Sequence, residues 1–140
     1  MTTRFEDVRV LVVDDEPALR EFLVEQFTEL GAQTASAGNA AEAMARLRSA
    51  KFDLILTDAR MPGGDGVELL QHVTAEVSPR PEIVFLTGYT DVEPEEIRRL
   101  GADVLLWKPF HLKDLNEAAD KALKNARAQR GVFLNARKSN

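Results

Sequence analysis

The sequence predicts an α/β fold: a doubly wound, five-stranded parallel sheet in the order 2-1-3-4-5, with helices on both faces in three layers. Three observations carry this expectation. Short apolar runs alternate with helical patterns five times along the chain. The runs are nearly continuous in apolar residues, as strands covered on both faces are. Right-handed crossovers between successive units then wind helices over both sides of one sheet.

Each element has its own local reason. Val8 to Val13 is a short β-branched run and reads as a buried strand. Asp15, Glu16 and Pro17 suit the first turn of a helix, along which Leu19, Phe22, Leu23, Phe27 and Leu30 recur at helical spacing until Gly31 stops it. Gln33 to Ala37 is a weaker strand of small residues, and Asn39 is placed to cap a helix with Ala43, Met44 and Leu47 inward. Leu54 to Thr57 forms a third strand ending at Asp58, before the turn-rich stretch from Met61 to Gly66. Val67, Leu69, Leu70 and Val73 line the next helix; Ser78 to Glu82 breaks it, and Ile83 to Leu86 is a fourth strand ending at Thr87. Pro94 to Leu100 is a short helix closed by Gly101, Val104 to Trp107 a fifth strand ending at Lys108, and Leu112 to about Ala128 the last helix.

A chain of 140 residues, 44% hydrophobic and 29% charged, is one domain with a real core and is not disordered. We expect a domain over residues 1–126 and a basic tail over 127–140. With no Cys, disulfides, thiolate metal ligands and a Cys nucleophile are excluded. The N-terminus has no apolar signal region, and no stretch approaches the roughly 20 apolar residues that span a bilayer. The expectation is a cytoplasmic protein without membrane insertion. The net charge of −5 is unevenly placed: residues 121–140 carry six cations and no acid, so residues 1–120 stand at −11. That body opposes direct nucleic-acid binding. The tail cations suit the end of a helix, and Val132, Phe133 and Leu134 within the tail would dock on the domain, meet a partner or begin a further domain.

The chemistry is suggested by where polar residues fall. Asp14 and Asp15, Asp58, Thr87 and Lys108 stand at the carboxyl ends of strands one, three, four and five, the edge at which open α/β sheets bind ligands. In the predicted order strands one and three are neighbours, so three carboxylates converge and repel unless a cation sits among them. An all-oxygen set suits Mg2+, with Mn2+ as a substitute. Asp58, alone on the central strand with a glycine-bearing loop behind it, is the candidate nucleophile. Thr87 offers a hydroxyl and Lys108 a fixed positive charge, which together with a metal would neutralise a phosphoryl group in transfer. Each such residue alone is commonly a turn former or a solvated charge; five at corresponding strand ends are not. His72 and His111 have no neighbouring ligand set and read as structural.

The segments LVVDDEP, LTDARMPGGDG, FLTGY and LWKPF, in this order over about residues 7 to 126, resemble the receiver domain of two-component response regulators, a flavodoxin-like fold. The resemblance implies Asp58 as phosphoacceptor, and Mg2+ held by Asp14, Asp15, Asp58 and the backbone carbonyl of Arg60. It implies Thr87 as the switch hydroxyl, Lys108 as the phosphoryl's partner and a cis bond before Pro109. It also implies a histidine kinase or phosphotransfer protein as donor, and an output partner, or a second copy of the chain, on helix 4, strand 5 and helix 5. Such a receiver catalyses only its own phosphorylation and dephosphorylation. Where many relatives place Tyr or Phe, this chain has Leu105, so the expected switch lacks a rotating ring. Arg60 and Tyr89 would border the water's approach to the acyl phosphate and slow its loss.

Three other classes of protein share part of this pattern. A receiver cut from a larger hybrid kinase or DNA-binding regulator would share every motif; starting at Met1 without an obvious tag favours a stand-alone protein. A haloacid-dehalogenase-like phosphatase needs a second acid two residues after its nucleophile, where this chain has Arg60. An FMN carrier needs a phosphate loop after strand one, where DDEPA would repel a phosphate.

Overall fold

The structure is a computed structural model, and it describes residues 4–59, 66–88 and 93–125, together with the backbone of 132–134. Elements follow in the predicted order: β1 (Arg9–Val13), α1 (Pro17–Glu29), β2 (Gln33–Ala37), α2 (Ala40–Ser49), β3 (Leu54–Asp58), α3 (Gly66–Glu76), β4 (Glu82–Thr87), α4 (Pro94–Leu100), β5 (Val104–Trp107), α5 (Leu112–Asn125) and β6 (Val132–Leu134). The sheet order is β2-β1-β3-β4-β5-β6, parallel at every pairing. The first five strands stand in the predicted order. The sixth was not predicted as a strand: it comes from the segment assigned to the basic tail and pairs with β5, Leu105 opposite Phe133 in register.

Side chains alternate along each strand between two apolar layers. Leu11, Val13, Ile55, Ile83, Phe85, Leu105 and Trp107 pack with α2, α3 and α4, while Val10, Val12, Leu54, Leu56, Val84, Leu86, Val104 and Leu106 pack with α1 and α5. The helices are set by caps as well as stripes. Asn39 Oδ1 accepts the Glu42 N–H at 2.8 Å, and Gly31 and Gly101 take positive φ just beyond α1 and α4, where a Cβ would be strained. The stripe of α1 is narrower than predicted. Leu23 and Phe27, one turn apart, are buried, whereas Phe22 is 44% exposed because the wide face of a single helix cannot all turn toward one sheet.

At the far end of the strands, buried Asp103 accepts the Ile83 N–H at 2.7 Å and the Arg80 guanidinium at 3.1 Å. Arg80 also donates to the Gly101 carbonyl. This network ties the segment entering β4 to the one entering β5, leaving the opposite end of both strands to carry the site.

Candidate functional site

Register brings the acids together. Val13 of β1 stands opposite Thr57 of β3, so the next residues, Asp14 and Asp58, leave the sheet side by side. Carboxylate oxygens of Asp14, Asp15 and Asp58 all lie within 4.8 Å of one another, and these three form the His, Cys, Asp or Glu group among the described residues that could hold a metal. Asp14 and Asp58 are buried and Asp15 is exposed. Asp14 Oδ1 accepts the Glu16 N–H at 2.9 Å, while its buried Oδ2 has no hydrogen-bond partner. Burial pushes the Asp14 carboxyl above its ordinary range; the Glu16 N–H opposes this, the Asp58 charge adds to it, Lys108 opposes it and Asp15 adds a little. A buried carboxylate oxygen without a donor, beside two further acids, fits a cation with oxygen ligands.

Asp58 is held from two sides. Its Oδ1 accepts the Ala59 N–H at 2.9 Å and the Lys108 ammonium at 2.8 Å. Lys108 leaves the end of β5, where its N–H donates to the Thr87 carbonyl at 2.7 Å, and the Lys108–Pro109 peptide is cis. Its side chain is one-third exposed, so the ammonium reaches the acid from the solvent edge. Thr87 closes β4 in register with Trp107; it is fully buried and its hydroxyl donates to the Gly88 carbonyl at 3.1 Å rather than to the acids. Leu105 and Trp107 share one core layer.

Thus Asp14, Asp15, Asp58 and Lys108 meet, with Thr87 at the adjoining strand end. Arg60 and Tyr89 lie outside the described residues. His72 faces Glu76 one turn on along α3 at 3.4 Å, and the His111 N–H donates to Asp114 at the start of α5. A concavity of about 480 Å³ lies at the opposite strand ends, lined by Lys51, Phe52, His72 and Pro79 among others, and has no convergent ligand set.

Two site residues escaped the sequence reading. Gly66 opens α3 against the end of β3: a Cβ there would stand 2.1 Å from the Asp58 carbonyl oxygen, so any larger residue displaces the backbone of Asp58 itself. Arg20 Nη1 donates to the Asp14 carbonyl at 2.7 Å. A glycine in a Gly-rich turn and an arginine on an amphipathic helix carry no sequence signal of such roles.

The arrangement is a carboxylate fixed beside an ammonium, with two more acids able to share a metal. Known proteins agree. The response regulator receiver domain family matches residues 10–120. The receiver protein CpdR of Brucella abortus is 38% identical over 117 residues, covering 82% of this chain and 96% of that one. Sporulation initiation phosphotransferase F of Bacillus subtilis is 31% identical over 116 residues, covering 82% and 93%. Among solved structures, the response regulator TrrA of Thermotoga maritima, in complex with Mg2+ and BeF, is 34% identical with a TM-score of 0.74, covering 83% of this chain and 99% of that one. The chain belongs to the response-regulator receiver family. It is a receiver domain of two-component signal transduction.

Proposed function

We propose that Asp58 accepts a phosphoryl group from the phosphohistidine of a kinase or phosphotransfer protein, and that the phosphorylated chain then switches its binding of an output partner. The observation that carries this is the pairing of buried Asp58 with Lys108 at 2.8 Å, inside a group of three acids. An Asp58 oxygen bonds to phosphorus while the phosphorus–nitrogen bond of the donor breaks, and the freed imidazole takes its proton from solvent. Asp14, Asp15, Asp58 and the Arg60 carbonyl are the groups that would hold Mg2+, which when bound supplies positive charge against the phosphoryl oxygens. Mn2+ would serve in its place. The Mg2+–BeF complex of the relative TrrA supports this reading. Lys108 is already aimed at the acceptor and provides the second positive charge. Thr87 accepts the Lys108 N–H through its main-chain carbonyl and would turn its hydroxyl from the Gly88 carbonyl to the phosphoryl.

The chain acts on its own side chain only, so its output is binding. Thr87 and Lys108 open the segments that lead into α4 and α5, and the output surface is α4, β5 and α5, where β6 lies along the β5 edge, so a partner protein or a second copy binds beside that strand or displaces it. A cytoplasmic location follows from the donors this reading names; no described helix is long and apolar enough to cross a membrane. By the family resemblance, Arg60 and Tyr89 would border the water's approach and slow loss of the phosphoryl. The test is phosphorylation by a small donor such as acetyl phosphate, with Mg2+, followed by phosphate analysis and Trp107 fluorescence. Wild type incorporates one phosphoryl and Asp58→Asn none; incorporation into the variant at the wild-type rate overturns the reading.

A further inference from the structure

Asp14 has four hydrogen-bonding groups, and three are tied to the protein. Its N–H donates to the Ala37 carbonyl at 3.1 Å, its Oδ1 accepts from Glu16, and its carbonyl accepts from the Arg20 guanidinium at 2.7 Å. Only the buried Oδ2 is left. Of the three ties, two come from main-chain N–H groups and would survive almost any substitution. The third is a single side chain reaching back from the second turn of α1.

The space that Arg20 occupies is built for it. Its guanidinium lies between the segment after β1 and the segment after β2, half-buried beside Gly38. A Cβ at position 38 would stand 3.2 Å from Arg20 Nη1 and 3.5 Å from Glu42 Oε1. Glu42 Oε1 in turn accepts the Gly38 N–H at 2.7 Å, which holds that segment back from the guanidinium. The charges that act on the Asp14 carboxyl are those of Asp58, Lys108 and Asp15, whereas Arg20 bonds the main chain of the same residue. Its effect is therefore positional.

We propose that Arg20 is a positioning residue for the metal site: by fixing the Asp14 carbonyl it sets the plane of the peptide from which the Asp14 and Asp15 carboxylates project, and so tunes the acid group to a small octahedral cation. This rests on the Mg2+ site proposed above. The consequence is selectivity. Mg2+ demands near-ideal octahedral geometry at about 2.0–2.1 Å, while Ca2+ accepts irregular shells of more distant oxygens. Loosening the Asp14–Asp15 peptide penalises the former more than the latter.

The experiment is calorimetric titration of the phosphate-free chain with Mg2+ alone and with Ca2+ alone, for wild type, Arg20→Met and Gly38→Ala. Arg20→Met removes the donor while keeping most of the stem. Gly38→Ala crowds the guanidinium and leaves the residue in place, so it serves even where Arg20→Met folds poorly. The expected result for Arg20→Met is Mg2+ affinity about tenfold weaker, the low end for supporting residues of a metal site, with Ca2+ affinity reduced less than threefold; Gly38→Ala, which displaces the guanidinium by only a few tenths of an ångström, shows a smaller loss with the same preference. With acetyl phosphate, the Mg2+ concentration for half-maximal phosphorylation rises and the rate at saturating Mg2+ stays near wild type. A lower melting temperature with unchanged Mg2+ affinity overturns the proposal, as does an equal loss for both cations. No Mg2+ binding by wild type defeats the site itself; Mg2+ binding by wild type and both variants alike defeats only the role of Arg20.

Discussion

Asp14 is the residue at which folding and function pull against each other. Its carboxyl is buried with one oxygen unpaired, and its pKa is raised from the ordinary value of 3.8, first by burial and then by the Asp58 and Asp15 charges. The folded chain therefore keeps this proton at a pH where the unfolded chain has lost it. Stability falls as pH rises from the ordinary value through the raised one and stays lower above it; below the ordinary value there is no effect. Asp14→Asn removes the decline. In metal-free buffer its melting temperature should exceed that of wild type at pH 7, and the gap should close toward pH 3. A gap constant with pH would assign the gain to something other than ionisation. Added Mg2+ should stabilise wild type and not the variant.

At the scale of elements, the tightest constraint is the join of β3 and α3. Gly66 donates its N–H to the Ala59 carbonyl at 3.1 Å, and the hypothetical Cβ meets Asp58 main chain and the Phe85 ring, neither of which is the loose end of a side chain. Gly66→Ala should lower stability by about 1–3 kcal/mol, as overpacking does, read as a urea midpoint shift with an unchanged slope. Because the displaced atom belongs to Asp58, phosphorylation should slow as well; an altered midpoint with the wild-type rate would show that the acceptor had not moved. Elements were also the scale best read from sequence. Strand ends were marked by Asp58, Thr87 and Lys108 following apolar runs, and Asn39 marked the start of α2, since these signals are local. Phe22, Gly66 and Arg20 were not, since exposure around a helix, close approach between segments and a bond to a main-chain carbonyl are set by tertiary packing.

For the whole molecule, the chief difference from expectation is β6. A three-residue apolar segment among basic residues is too short to be recognised as a strand, and it becomes one because β5 would otherwise present an unpaired edge. Residues 127–140 carry four cations and no acid, while residues 1–126 stand at −9, a charge difference that favours pairing of β6 with the domain. Removing residues 127–140 should accelerate amide exchange at residues 104–106 and lower stability by about 1–3 kcal/mol, the sum expected for a few net hydrogen bonds. Unchanged exchange at those amides would show that β6 gives β5 no protection.

The sixth strand also decides how the protein can be attached to anything else. A fluorescent fusion or surface linker joined after Asn140 hangs from the strand next to β5, whose end carries the lysine held against Asp58. Load on that join is borne by the sheet at its β5 edge. The same cargo fixed to the outer face of α2, beside β2 at the opposite edge, would leave the reporter and the switch mechanically separate.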